Sequence, residues 1–199
     1  MVEGMKITDW RQEDRQSGKT LSFSMWNARV SIQVSDSKNI RDKMFSKNLT
    51  DSELVLFQKY LNKITSASPE QKFSLQFQSY DRNSKQFRMS AVVTIEKDSK
   101  QQYKITCTDC TKNTTNTFTL RSPATVTTGN EPLNDATLSA LKLDTLKNWV
   151  SSAWVWAPFT YQPRQNGGGY GGGSNGGYKG GGSSSSSGGG SGDDENLPF

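Results

Sequence analysis

The chain has 199 residues, a net charge of +5 and no histidine. It therefore lacks the most frequent general base and metal ligand. No phosphate-binding glycine loop or nucleophile elbow occurs before position 164, and the acidic residues are scattered without the spacing of metal ligands. We expect a protein that is not an enzyme and needs no cofactor.

Two further absences concern location. No apolar run is long enough to span a bilayer, and Met1–Trp10 lacks the pattern of a signal peptide. We expect a soluble protein of the cytoplasm with no membrane partner.

Glycine divides the chain. Fifteen of its eighteen glycines lie between Gly167 and Gly192. The segment 164–192 contains no aliphatic residue, so it cannot bury enough apolar surface to offset the entropy of ordering it. We predict one globular domain over 1–163, a disordered Gly/Ser-rich linker over 164–192 with a reach of roughly 30 Å, and a short tip over 193–199.

Charge divides the chain at the same place. Residues 1–163 hold 22 basic and 16 acidic side chains, a net charge of +6, whereas residues 164–199 hold two basic and three acidic side chains, a net charge of −1. A basic body favours an anionic partner.

The first elements in chain order are strands. One is expected over 6–11. Two segments with a two-residue period follow, and their inward-facing residues are Leu21, Phe23 and Met25 in one and Val30, Ile32 and Val34 in the other.

A helix is then predicted over 51–66. Thr50 and Glu53 have the spacing of a capping box, in which each side chain bonds the backbone of the other residue. The apolar positions Leu54, Phe57, Leu61 and Ile64 recur at three- and four-residue spacing.

Four more strands are expected after this helix. The two-residue period gives inward-facing positions on each, and the polar segment 81–85 reads as a hairpin loop between the first two. In the first three strands these positions are Phe73, Leu75 and Phe77; Phe87, Met89, Ala91, Val93 and Ile95; and Tyr103, Ile105 and Cys107. The fourth strand is expected over 116–121.

A second helix is predicted over 135–152, capped by Asn134, and the aromatic-rich segment 154–161 is expected to be extended. Antiparallel hairpins with segregated helices make an α+β domain. Two arrangements fit this order: a pair of antiparallel sheets with two helices, as in Whirly-type single-stranded-DNA-binding proteins, or an OB-type barrel with an inserted helix. The repetition of strands then helix favours the first.

The two cysteines form a Cys-x-x-Cys pair, Cys107 and Cys110. A zinc site needs four ligands, and the chain has no further cysteine or histidine. The Thr/Asn-rich segment that follows is not the helix expected of a redox motif. We interpret the pair as a strand end and turn with two incidental thiols; a zinc site shared between two chains is the alternative.

Strand parity marks a surface that could bind nucleic acid. Trp26 and Tyr80 are out of phase with the apolar faces of their strands, so both should point outward, where aromatic rings can stack on bases. Basic residues are expected on comparable outward positions and in the adjoining loop: Arg29, Arg82, Lys85, Arg88 and Lys104. The alternative for Trp26 is a dimer contact or second layer, and for Tyr80 a simple strand end.

The end of the chain resembles a known family. After the linker come the acidic residues Asp193, Asp194 and Glu195, then Asn196, then Leu197, Pro198 and Phe199. This resembles the C-terminal tip of bacterial single-stranded DNA-binding proteins (SSB), which ends in a run of Asp followed by Ile-Pro-Phe. Glu195 and Asn196 depart from the pure Asp run, and Leu197 replaces Ile. The body aligns with no stretch of the bacterial SSB domain, which suggests a bacteriophage version.

The resemblance implies a function. SSB tips recruit replication and repair proteins and can fold back onto the basic DNA-binding surface. We therefore expect a protein that binds single-stranded DNA without sequence preference in replication, recombination or repair, in the host cytoplasm if it is viral. It would act as a monomer or as a homo-oligomer. The alternatives are an RNA-binding or RNA-chaperone protein and a protein adaptor with a tethered peptide.

Overall fold

The computed structural model describes residues 9–26, 28–39, 41–122, 127–128 and 131–160, all within one unit, Met1–Pro163. The linker and the tip lie outside the described residues. The described elements, in chain order, are β1 Trp10–Asp14, β2 Lys19–Trp26, β3 Arg29–Asp36, β4 Lys43–Asn48, α1 Asp51–Thr65, β5 Lys72–Asp81, β6 Gln86–Lys97, β7 Tyr103–Asp109, β8 Thr114–Thr119, β9 Thr127–Thr128, β10 Glu131–Pro132 and α2 Asp135–Thr160.

The strands form two antiparallel sheets of four, each in sequential order. Strands β1 to β4 make the first sheet and β5 to β8 the second, while β9 and β10 pair separately. The α+β class with two antiparallel sheets and two helices is thereby confirmed. The alternative of a single barrel is not supported, because the strands that the structure describes do not close into one.

Helix α1 begins as its sequence predicts. The Thr50 hydroxyl accepts a hydrogen bond from the Glu53 amide at 3.3 Å, and the Glu53 carboxylate accepts one from the Thr50 amide at 2.7 Å. All four predicted apolar positions of the helix are buried. Local capping and the apolar stripe agree here, so the sequence sufficed to place the helix.

One core joins both sheets and both helices. At its centre Phe23 of β2 stacks on Phe57 of α1, with ring centroids 5.5 Å apart, and meets Trp149 of α2 edge-on at 6.3 Å. Trp10 of β1 contacts the same ring edge-on at 5.5 Å. The second sheet adds Leu75, Phe77, Val93, Ile95, Ile105 and Phe118 to the same cluster.

The structure departs from the predicted elements in three places. Strand β4 was not anticipated, because only Phe45 in it is a buried apolar residue and alternation is therefore weak. Helix α2 continues to Thr160, so the expectation of an extended segment over 154–161 fails for 154–160. Its buried positions Leu146, Val150 and Ala153 continue the helical spacing beyond residue 152. The expected first strand overlaps β1 at Trp10 and Arg11 alone, and its residues 6–8 lie outside the described part.

Within the residues that the structure describes, neither helix is both long and apolar enough to cross a membrane.

Candidate nucleic-acid interface

The hairpin of β5 and β6 ends in a turn that is organised by Asp81. Its carboxylate accepts hydrogen bonds from the Ser84 hydroxyl at 2.8 Å and the Asn83 amide at 3.0 Å. These two bonds, with the nearby Arg88 charge, hold the pKa of Asp81 below its usual value. Lys85 closes the turn with a φ of +52°, in the left-handed region. The turn therefore has a defined shape and presents the side chains of Arg82 and Lys85 outward.

A β-bulge interrupts this hairpin. Phe77 pairs with Ala91, but the next residue of β5, Gln78, pairs with Met89, so Ser90 is an extra residue in β6. The extra residue shifts the alternation of faces between Ala91 and Met89. Ser90 is 4% exposed and takes an inward position.

The bulge overturns one expectation about the core. Phe87 and Met89 share the two-residue period of Ala91, Val93 and Ile95 and were expected to face inward. Instead Phe87 is 71% exposed and Met89 is 45% exposed, because the shift of phase at Ser90 turns both outward. The sequence carries only a weak signal of this bulge, namely that the polar residue Ser90 lies between the apolar residues Met89 and Ala91.

Phe87, which the bulge places on the outer face, contacts Tyr80, the aromatic residue that the sequence predicted to be exposed there. Tyr80 is 53% exposed and pairs directly with Phe87; their ring centroids are 5.3 Å apart, at an interplanar angle of 65°. Large apolar side chains exposed as a neighbouring group are more informative than single ones and are a candidate binding surface. Tyr80, Phe87 and Met89 thus form an exposed patch, here called the aromatic patch, of which the sequence alone indicated only Tyr80.

The outer face of the second sheet changes character in steps along β5. Moving along the strands away from the turn, the Gln78–Met89 pair comes first and a row through Gln76 and Val92 comes next. A row of hydroxyl side chains follows. In this row Ser74 bonds Thr94 at 2.8 Å and Thr106 bonds Thr117 at 3.0 Å, oxygen to oxygen; its members are Ser74, Thr94, Thr106 and Thr117. Next to the aromatic rings, the face is neutral and rich in hydrogen-bonding groups.

The predicted basic residues fall into different environments. Arg82 and Lys85 are exposed and form no ion pair with any described residue. Arg88 pairs with Ser79 in the register, so it lies on the face opposite Tyr80 and Phe87, where its Nε is 3.4 Å from the Asp81 carboxylate. The expectation that Arg88 shares an outward face with Tyr80 is therefore wrong, because the same bulge reverses the parity of Arg88.

Lys104 lies at the far end of the same outer face. Its Nζ is 3.0 Å from the Asp98 carboxylate. Partial burial would raise the pKa of Asp98, but the bond from Lys104 and the amides of Gln102 and Lys100 outweigh it and lower that pKa. The carboxylate therefore stays charged and neutralises Lys104, which makes Lys104 a weaker candidate for a phosphate contact than Arg82 or Lys85.

Arg29 and Trp26 belong to the first sheet. They are paired residues at the end of the β2–β3 hairpin, and Arg29 is exposed. The side chain of Trp26 lies outside the described part of the structure, so its outward orientation stays a prediction. Arg29 and the aromatic patch belong to different sheets, so the two remain separate candidates.

The tip residues Asp193, Asp194, Glu195, Leu197, Pro198 and Phe199 also lie outside the described residues. Their role in binding partners stays a prediction from the resemblance.

An open groove of about 1070 Å³ runs along β1 and the start of α2. It is lined by cations and anions in near balance, and one pair across it, Arg121 and Asp135, is 3.0 Å apart. Its charged residues are Arg11, Arg15, Arg121 and Lys142 against Glu13, Asp14 and Asp135. This balance makes the groove a poorer match for a polyanion than the turn with Arg82 and Lys85.

The two cysteines occupy different environments. Cys107 is fully buried in β7, and burial raises the pKa of its thiol to about 12. Cys110 is exposed in the following turn, and both are free thiols. Among the described residues, no group of three or more His, Cys, Asp or Glu is arranged to hold a metal ion. The interpretation as a strand end and turn agrees with this geometry.

Comparisons with known proteins give little. No protein-family model matches the chain, and no curated protein matches it. Among solved structures, the MRP1/MRP2 structure from Trypanosoma brucei is similar over 77% of this chain and 84% of that chain, with 12% sequence identity and a TM-score of 0.39. A likeness this weak carries no argument about fold or function.

The cysteine environments predict selective labelling. At pH 8 a thiol reagent should modify one cysteine of the native protein quickly and both cysteines after denaturation, because a thiol with a pKa near 12 forms almost no thiolate. Cys110→Ser should abolish the fast reaction and Cys107→Ser should preserve it, as measured by intact-mass spectrometry. Equal labelling of both thiols in the native protein would contradict the burial of Cys107.

Proposed function

We propose that this protein binds single-stranded DNA without sequence preference during replication, recombination or repair, and recruits partner proteins through its C-terminal tip. The observation that carries the proposal is the aromatic patch beside Arg82 and Lys85 on one hairpin end, two exposed cations that form no ion pair with any described residue. Aromatic platforms next to positive charge are the usual means of holding a strand whose bases are unpaired.

The aromatic patch favours a single strand over a duplex. Every base presents a π-face, and stacking on a ring does not depend on which base it is. In a duplex these faces are covered by neighbouring base pairs, so Tyr80 and Phe87 would have nothing to stack on. The absence of sequence preference follows from the same property of the bases.

The charges support contact with phosphates near the turn. The body carries a net charge of +6, and neutralising phosphates releases counterions. Because Lys104 and Arg88 are each paired with a carboxylate, we assign the phosphate contacts to Arg82 and Lys85. Gln76 and Gln78 lie between these cations and the hydroxyl row and offer neutral donors and acceptors to bases or phosphates.

The architecture is consistent with the proposal. Two four-stranded antiparallel sheets, each followed in the chain by a helix, match the arrangement expected for a Whirly-like protein. We propose this as the finer fold class. Trp26 and Arg29, at the end of a hairpin in the other sheet, are proposed as a second stacking and phosphate-binding position.

The tip completes the proposed mechanism. Its three acids and Leu197, Pro198 and Phe199 suit a partner with an apolar pocket and a basic rim, and Pro198 limits the entropy lost on binding. The partners proposed are replication and repair proteins, of the host if the protein is viral. The Gly-rich linker would let the body hold DNA while the tip holds a partner.

Loss of the stacking rings should weaken binding. Phe87→Ala or Tyr80→Ala should each cost about 1–3 kcal/mol in affinity for oligo-dT, and the double variant less than the sum, because the two rings are in contact. Fluorescence anisotropy with labelled oligonucleotides measures this. Val155→Ala on α2, another exposed apolar position, is the matched control and should bind as the parent protein does.

Two results would overturn the proposal of single-strand binding. One is equal affinity for duplex and single-stranded DNA of the same length. The other is unchanged affinity in the double variant, which would reject the aromatic patch as the site. Tighter binding to RNA than to DNA of the same sequence would favour the RNA-binding alternative, and no binding to either at low salt would favour the adaptor.

The salt dependence separates the cations. Arg82→Gln and Lys85→Gln should each reduce the slope of log affinity against log salt concentration by about 0.7, the contribution of one phosphate on a single strand. Lys59→Gln, an exposed lysine of α1, should leave the slope unchanged. The measurement is a titration with oligo-dT at several salt concentrations; slopes that do not differ between Arg82→Gln and Lys59→Gln would contradict the assignment.

Truncation tests whether the tip competes with DNA. Deleting residues 193–199 should raise the affinity for oligo-dT at low salt, because it removes three acids that can occupy the basic surface. Replacing Asp193, Asp194 and Glu195 by their amides, with Phe199 kept, should raise affinity equally. An unchanged affinity in both variants would reject competition by the tip. Proteins retained by the full chain and lost on deletion of Phe199 alone would identify recruited partners.

A further inference from the structure

A lysine on the inner face of the first sheet reaches the second sheet. Lys47 of β4 pairs with Ile32, which is fully buried, so the two side chains share the inner face. Lysine is rarely placed facing a core unless its ammonium finds a partner. Here the Nζ of Lys47 donates a hydrogen bond to the Ser90 hydroxyl at 2.9 Å.

Ser90 is the extra residue of the bulge in β6, and three elements hold it. Its hydroxyl donates to the Phe77 carbonyl of β5 at 3.1 Å while accepting from Lys47, which uses both capacities of the hydroxyl. Its carbonyl accepts from the Cys110 amide, after β7, at 3.0 Å. The bulge is therefore fixed from its own hairpin, from the neighbouring strand and, through Lys47, from the other sheet.

The place of the bulge decides what the hairpin shows to solvent. With Ser90 as the extra residue, Phe87 pairs with Tyr80 on the outer face. A regular ladder continued from the Phe77–Ala91 pair would place Met89 and Phe87 inward and Arg88 outward, since alternation has a period of two. A single-residue change in register would thus remove the aromatic patch and leave the remaining strands of the sheet intact.

We propose that Lys47 and Ser90 are positioning residues for DNA binding: their contact holds the bulge in place and thereby keeps Phe87 and Met89 beside Tyr80. This inference rests on the proposed single-strand binding at the aromatic patch. Neither residue touches DNA. Lys47 acts from the other sheet, so the shape of the binding hairpin depends on the packing of the two sheets.

The molecule contains a matched control for this contact. Lys19 of β2 donates to the Asn116 side chain of β8 at 2.6 Å, which also joins the first sheet to the second. Asn116 is buried, but its strand carries no bulge, and neither residue belongs to the β5–β6 hairpin. A loss of stability from breaking a link between the sheets should appear in both lysine variants, whereas a loss of hairpin register should appear only for Lys47.

The experiment compares Lys47→Leu, Ser90→Ala and Lys19→Leu in the full chain. Lys47→Leu and Ser90→Ala should weaken binding to oligo-dT about fivefold or more, the lower end of the loss of one stacked base. Lys19→Leu should bind as the parent does. Adding Phe87→Ala to Lys47→Leu should cause little further loss, because both changes remove the same contact. The salt slope should be unchanged in Lys47→Leu, since a phosphate contact would lower it by about 0.7.

A second measurement follows the register without DNA. The methyl signal of Met89, assigned by Met89→Leu, should be strongly broadened by a soluble paramagnetic agent in the parent protein and in Lys19→Leu. It should be protected in Lys47→Leu and Ser90→Ala, in which the methionine turns inward for part of the time. This readout would not move if the lysine only added stability.

The outcomes are separable. If the parent protein does not bind oligo-dT, the proposed function fails, and the Met89 measurement alone decides the role of the bulge. If the parent binds and Phe87→Ala weakens it, but Lys47→Leu and Ser90→Ala bind normally and leave Met89 accessible, the positioning role is wrong. Equal losses in Lys47→Leu and Lys19→Leu would also overturn it, as would a reduced salt slope in Lys47→Leu.

Discussion

The bulge at Ser90 is the constraint on which the exposed end of the β5–β6 hairpin depends. A strand shows alternate residues to the two faces of its sheet, so one extra residue exchanges the faces of everything beyond it. Here the exchange moves Phe87 and Met89 from the core side to solvent and places Arg88 on the face opposite Tyr80. Lys47 donates a hydrogen bond to the Ser90 hydroxyl, and that hydroxyl donates one to the Phe77 carbonyl. Both bonds favour Ser90 as the extra residue of the strand.

Between the bulge and the turn, the β5–β6 hairpin contributes no buried residue to the core. At the hairpin end the last buried residue of β5 is Phe77 and the first buried residue of β6 is Ser90, and residues 78–80 and 86–89 are exposed on both faces. The hairpin end can therefore present rings on one face and an Arg88–Asp81 pair on the other, with the exposed cations Arg82 and Lys85 in the turn. Stability is supplied by the shared core around Phe23, whereas the proposed binding groups lie where few buried contacts would be lost by changing them.

Prediction from the sequence succeeded where local signals and tertiary packing agree. The capping box and apolar stripe placed α1, and the alternation of β2, β3, β5 and β7 gave their inward faces. It failed where one residue or one strand depends on a distant partner. Strand β4 has little alternation of its own and is held by its pairing with β3, and α2 extends past residue 152 because Ala153 finds a place in the core.

The sequence by itself determined the class of the fold, the outward position of Tyr80 and the division of charge between a basic body and an acidic tip, because periodicity and composition are local properties of the chain. Only the tertiary structure decided that Phe87 joins Tyr80, that Lys104 and Arg88 are paired with carboxylates, and that Lys47 reaches the bulge from the other sheet. These features depend on strand register and on contacts between residues far apart in the chain. A two-residue alternation in the sequence does not show where a bulge interrupts it.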